Sequence, residues 1–240
     1  MYGSPPKQAG FTLIELMISM LLSLILLSGI VEIFGSSRDN YRIQDAITNR
    51  NRDARASLEF MSREFRNIAL ISDATDTPDN ITFYADNDSV DVGMVTEATT
   101  NTMTDSNKSW AFDEWAETTV IITSGTGKGE VNTVTSNSEE QLILASNWGV
   151  TPDETSVYHI DVESRAFNYD SGTNTLKYTK GETVDQVFAE NIESLTFVTD
   201  AAPPDTGKIT IQLTVRTTTA DPGDGLFKDL TLKSQVMLRN

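Results

Sequence analysis

The chain has no cysteine among its 240 residues. That excludes disulfide scaffolds, thiolate zinc sites and cysteine nucleophiles, and it leaves the compartment open, since an exported protein can do without bridges. Histidine is nearly as scarce: with His159 alone, a multi-histidine metal site is impossible and a histidine triad would hang on one residue. Cations are few as well, with 18 Lys and Arg against 35 Asp and Glu, a formal charge of −17. A nucleic-acid partner held through phosphates needs a basic face, so none is expected. What the chain does have is 38% hydrophobic and 8% aromatic residues, too much for a wholly disordered acidic chain. Its length allows one large domain or two small ones. A non-enzymatic protein without a cofactor is the expectation.

Hydrophobicity is concentrated in residues 11–34, FTLIELMISMLLSLILLSGIVEIF, where only Glu15 and Glu32 are charged. As a helix this stretch extends about 36 Å, enough to cross a bilayer core of about 30 Å. A secretory signal peptide would show a clear basic leader, a shorter apolar run and a small-x-small cleavage site. Here residues 1–10 carry only Lys7, and Ser28, Gly29 and Ile30 make a poor cleavage signal. Glu15 lies inside the apolar run, where a lone ionised carboxylate costs about 2.5–3.5 kcal/mol, so it requires a partner. Neither Lys7 nor Arg38 lies at its depth on the helix. Cleavage between Gly10 and Phe11 would make one, an α-ammonium at the matching depth on a neighbouring copy.

The run Gly10-Phe11-Thr12-Leu13-Ile14-Glu15-Leu16-Met17 resembles the class III signal of type IV prepilins and type II secretion pseudopilins. The resemblance implies that prepilin peptidase cuts after Gly10, that the amine of Phe11 is methylated, and that Glu15 serves subunit assembly. It also implies an inner-membrane protein with its leader in the cytoplasm and its C-terminal domain in the periplasm. Counting cations gives the opposite orientation, because Arg38, Arg42, Arg50 and Arg52 follow the apolar run. Orientation is taken from the resemblance.

Beyond the apolar run, Ile43, Ile47, Ala54, Leu58, Met61, Phe65 and Ile68 recur at helical spacing. They predict that one helix continues over residues 35–71 and lays an apolar stripe on a sheet. Glu59 and Arg63 are placed for an i,i+4 pair on its solvated face. Residues 52–71 resemble the helix of the minor pilins called PilW and of the J-type minor pseudopilins, although Ile68-Ala69-Leu70 departs from the Ala-Gly-aromatic pattern expected there. Strand-like text follows at residues 80–85, 158–162, 166–169, 175–179, 193–199, 208–216 and 230–238, with turns at 170–174, 200–207 and 221–225. Residues 93–158 differ: rich in Thr and Ser, they hold Trp110, Trp115 and Trp148 and read as strands 119–123, 130–135 and 141–145. Their order of tryptophan, strand and GTGxG turn is similar to a small β-module of phage structural and bacterial surface proteins. The expected architecture is α+β, a type IV pilin-like lollipop. In it, a leader (1–10) and a transmembrane half-helix (11–34) precede an amphipathic half-helix (35–71), which packs on an antiparallel sheet domain (72–92 and 159–240) interrupted by an all-β insert (93–158).

Several residues invite chemistry. Residues 125–130, GTGKGE, lack the Ser or Thr and the helix of a phosphate loop and read as a hairpin turn. Asp86, Asn87, Asp88 and Asp91 have the composition of a calcium loop, but Val90 and Asp91 stand where an EF-hand places a ligand and a glycine, so an acidic turn is expected. Because some pseudopilins bind calcium in their β-region loops, Asp86, Asp88, Asp221 and Asp224 are the calcium candidates. His159 reads as a structural histidine in a strand. The three tryptophans read as core of the insert, with an exposed sugar platform as the rival reading.

With the resemblance, the expectation is a minor pilin that assembles into a type IV pilus, at the tip or in initiation, because the insert would crowd a repeated lattice. Its implied partners are prepilin peptidase, other minor and major pilins or pseudopilins, and the inner-membrane assembly platform. The alternatives are a minor pseudopilin of a type II secretion system and a membrane-anchored adhesin or sugar-binding protein.

Overall fold

The structure, a computed structural model, describes residues 12–72, 79–181, 183, 186–202, 204, 207–216 and 229–238. One helix, α1, runs unbroken over Leu13–Arg66. Thr12 caps it and Glu15 closes a capping box, while Arg63 and Arg66 in the last turn complement the helix dipole. Its buried positions are Ala54, Ser57, Leu58, Met61, Ser62 and Phe65, the i, i+3, i+4, i+7 rhythm of a helix laid on a core. Ile43 and Ile47, nearer the apolar half, are only half-buried.

The helix ends before residue 71. Asn67 closes the last turn through its amide to the Glu64 carbonyl at 3.1 Å, and Ile68–Ile71 forms strand β1. Four consecutive apolar residues, two of them isoleucine, cannot bury both faces against one sheet as a helix. As a strand, Ile68 and Ile71 join the core under the helix while Leu70 joins a second cluster with Ile121 and Val162.

Two long strands carry the main sheet. β2 (Asn80–Met94) and β8 (Val157–Asp170) pair antiparallel nearly end to end, with β1 outside β2. The second half of β8 pairs β9 (Thr175–Lys180), which pairs β10 (Gln186–Glu190). Its first half pairs β5 (Thr119–Ser124), and the sheet continues through β6 (Val131–Asn137), β7 (Gln141–Leu144), β4 (Thr102–Thr104) and β3 (Glu97–Ala98). A separate three-stranded antiparallel sheet holds β11 (Ile192–Thr199), β12 (Lys208–Arg216) and β13 (Asp229–Met237) in that order. The architecture is an α+β lollipop with an all-β insert whose strands extend the sheet through β5.

Both long strands exceed the expected ones for identifiable reasons. In β2 the register jumps from Asp86↔Val162 to Asp91↔Ile160, so residues 87–90 bulge out, and the polar Asn87, Asp88 and Ser89 among them hide the continuation. In β8 the buried positions shift from Tyr158, Ile160 and Val162 to Arg165 and Phe167. The strand therefore turns opposite faces to different cores on either side of Glu163, and a single alternating pattern does not survive. β3, β4 and β10 are short, exposed or both, and their residues carry no apolar alternation.

Phe65 is where the helix meets both sheets. Fully buried, it sets its ring edge-on to Phe83 of β2, Phe167 of β8 and Phe197 of β11, at 5.2, 5.5 and 5.8 Å between centroids. One residue earlier, Glu64 accepts from Arg165 Nη1 and from the Tyr178 hydroxyl, each at 2.8 Å, and burial holds that phenol's pKa above its usual range. The ion pair is nearly excluded from water and keeps the helix in register on β8 and β9. Phe65→Ala is expected to destabilise the folded domain by about 3–5 kcal/mol through the cavity it leaves, measured by denaturant unfolding of the detergent-solubilised chain. A loss under about 1 kcal/mol would show that the helix is not seated on this core.

Candidate processing and assembly site

The apolar half of α1 has no tertiary partner. Its most apolar window has a mean hydropathy of 2.4 and none of it is buried within the structure. A soluble domain leaves no surface of this kind in water, whereas a helix with its backbone bonds closed internally is what lipid accepts. Its hydroxyls are closed internally as well: Ser19 donates to the Glu15 carbonyl, Ser23 to that of Ser19 and Ser28 to that of Ile25, each at 2.8 Å. With those groups satisfied, Glu15 and Glu32 are the remaining unsolved polar features of the segment.

The structure places Glu15 at the first turn. One carboxylate oxygen accepts from the Thr12 amide at 2.9 Å and the Thr12 hydroxyl at 3.0 Å, and the Glu15 amide donates back to that hydroxyl at 3.4 Å. The carboxylate is thus folded toward the start of the helix, where free amides and the dipole favour negative charge. Thr12, which the sequence reading did not single out, is the residue that positions Glu15, and the Thr12-x-x-Glu15 spacing of a capping box was readable in the sequence. Gly10 and Phe11 lie outside the described residues.

Other candidates are placed as follows. Asp86 pairs with His159, Oδ1 to Nδ1 at 2.8 Å, and Asp88 lies in the bulge of β2 where an acidic turn was expected. Among the described residues, no three His, Asp or Glu side chains are grouped to hold a metal ion. Asp221 and Asp224 lie outside the described residues. Residues 125–130 join β5 to β6, and Gly125, with φ of +79°, leaves so little room that a Cβ would meet the Thr155 carbonyl oxygen at 2.1 Å. Among the described residues Glu59 and Arg63 make no ion pair; the Arg63 guanidinium lies over the Phe60 ring, 5.3 Å from its centroid.

All three tryptophans are buried, Trp110 at 6%, Trp115 at 8% and Trp148 at 6% exposure. They pack with Val95, Met103 and Leu142 in a core that Tyr158 and Ile160 of β8 complete. Trp110 Nε1 donates to Asp91 at 2.6 Å, and the Tyr158 hydroxyl donates to buried Asp105 at 2.7 Å, tying the insert to β2 and β8. No tryptophan face is offered to a sugar.

Residues 5–31 match the prokaryotic N-terminal methylation motif. Neither the characterised proteins nor the solved structures include one that matches the chain. The motif identifies a class III prepilin-type signal, which fits a pilin or pseudopilin that is cleaved and methylated by prepilin peptidase and assembles with other pilins. Together with the uncovered apolar half of α1 it points to membrane anchoring. The burial of the tryptophans predicts blue-shifted intrinsic fluorescence, weakly quenched by iodide and unchanged by added glycans. Strong quenching would place at least one ring at the surface.

Proposed function

We propose that this chain is a non-enzymatic minor pilin, cleaved after Gly10, methylated at Phe11 and built into a type IV pilus at its tip or during initiation. The observation that carries the reading is the joining of a methylation motif to a helix with two solvents: naked in its apolar half, and seated under two sheets by the face that runs from Ala54 to Phe65. A subunit of this form is drawn from the inner membrane into a fibre without unfolding its domain. Cleavage leaves an ammonium at Phe11, and Glu15, already turned toward the helix start by Thr12, offers a neighbouring subunit's amine a carboxylate in low dielectric. There the attraction is strong and an unpaired charge is penalised. The position at the tip is supported by the insert, which adds strands β3 to β7 to one side of the domain and would obstruct close repetition along a shaft.

The minor pseudopilin of a type II secretion system shares the signal and the helix, and co-purifying subunits separate it from the pilin. The adhesin reading is weakened by the burial of Trp110, Trp115 and Trp148. Glu15→Ala is expected to insert in the membrane and to fold as the wild type does, while its amount in sheared fibres or in the assembled subcomplex falls at least tenfold. Wild-type incorporation of the variant would refute the role given to Glu15.

A further inference from the structure

In a chain with 35 acids and 18 bases, a cation has acids to spare. Lys108, Arg165, Lys177, Lys180 and Arg216 are each in an ion pair. Four others stand together without one. Arg55, Arg63 and Arg66 of α1 and Lys233 of β13 line a groove of about 470 Å³ in which, among the described residues, Glu59 is the only acid. Among the described residues none of these four cations has an ion-pair partner.

The groove is also built to take a backbone. One wall is Leu232, Lys233 and Ser234, three consecutive residues of β13, which is an outer strand of its sheet among the described residues. An outer strand presents unpaired amides and carbonyls, to which an extended segment can add as a further strand. The groove is apolar at Leu58 and Leu232, and Ser62 and Ser234 satisfy each other across it at 3.0 Å. Backbone pairing from β13 and carboxylate pairing to the arginines of α1 select the same ligand, an extended acidic peptide.

We propose that this groove docks an extended acidic segment of a neighbouring fibre subunit, an inference that rests on the assembly reading above. Lipid headgroups are out of reach: residue 55 lies about 31 Å along the helix beyond residue 34, where the apolar run ends. Nucleic acid is disfavoured because the −17 charge of the whole chain repels a polyanion at long range, whereas a short acidic segment already held alongside in a fibre meets only the local groove.

A photo-crosslinking residue, p-benzoylphenylalanine, placed at the exposed Glu59 of the full chain in intact cells tests this directly. Irradiation is expected to give an adduct whose joined peptide, identified by mass spectrometry, is acidic and comes from another protein with a prepilin-type signal. Its yield is expected to fall at least tenfold in Arg55→Glu/Arg63→Glu/Arg66→Glu and by less in the matching Gln variant, both retaining wild-type tryptophan fluorescence as proof of folding. An undiminished yield in the Glu variant, a joined lipid, nucleic acid or non-acidic peptide, or no adduct at all would overturn the proposal. The mass of the same purified chain keeps the two readings apart. A cleaved chain without the adduct refutes the groove alone, and a chain still beginning at Met1 refutes the subunit reading beneath it.

Discussion

Leu13–Arg66 is one continuous helix, so the amide ladder that lets its first half stand in lipid also delivers Phe65 into the protein core. Everything else is arranged around that continuity. Lipid requires that no backbone group be left open along the apolar half, and the unbroken ladder with its back-bonded serines meets the requirement. Water requires the opposite of the second half, a covered apolar stripe, and from Ala54 to Phe65 two sheets supply that cover. A kink between the halves would misdirect one of them. The only glycines along the helix, Gly29 and Gly35, have open space around them and no neighbouring element against which to bend.

The domain end is fixed to the helix by one aromatic cluster and one ion pair. Phe65 reaches three strands in two sheets, and beside it Glu64 binds Arg165 and Tyr178. Strand β8 contributes Arg165 and Phe167 to this core, and at its other end Tyr158 and Ile160 to the core of the insert. The insert is therefore continuous with the sheet that carries the helix.

Much of this was legible in the residues. The apolar run, the signal around Gly10 and Glu15, and the stripe from Ala54 to Phe65 each follow from a local pattern that nothing distant overrides. β12 was readable to the residue, because Ile209, Ile211, Leu213 and Val215 alternate without interruption. Patterns failed where two demands met on one segment. Ile68–Ile71 continues a helical rhythm but serves two clusters as a strand, and β8 exchanges one buried face for the other midway. The bulge in β2 concealed half of its length behind polar residues, and the pairing of Asp86 with His159 across it depends on a register that no local reading contains. The basic groove was invisible for the same reason, since Lys233 comes to line one groove with the arginines only once β13 lies along α1.

On the function proposed above, the first ten residues are a leader whose removal turns a membrane protein into a fibre subunit. Intact mass and N-terminal sequence of the chain purified from cells with and without prepilin peptidase test it most directly. The product is expected to begin at methylated Phe11 with the enzyme and at Met1 without it. A chain that begins at Met1 in both, or one cut near Ser28, would contradict it.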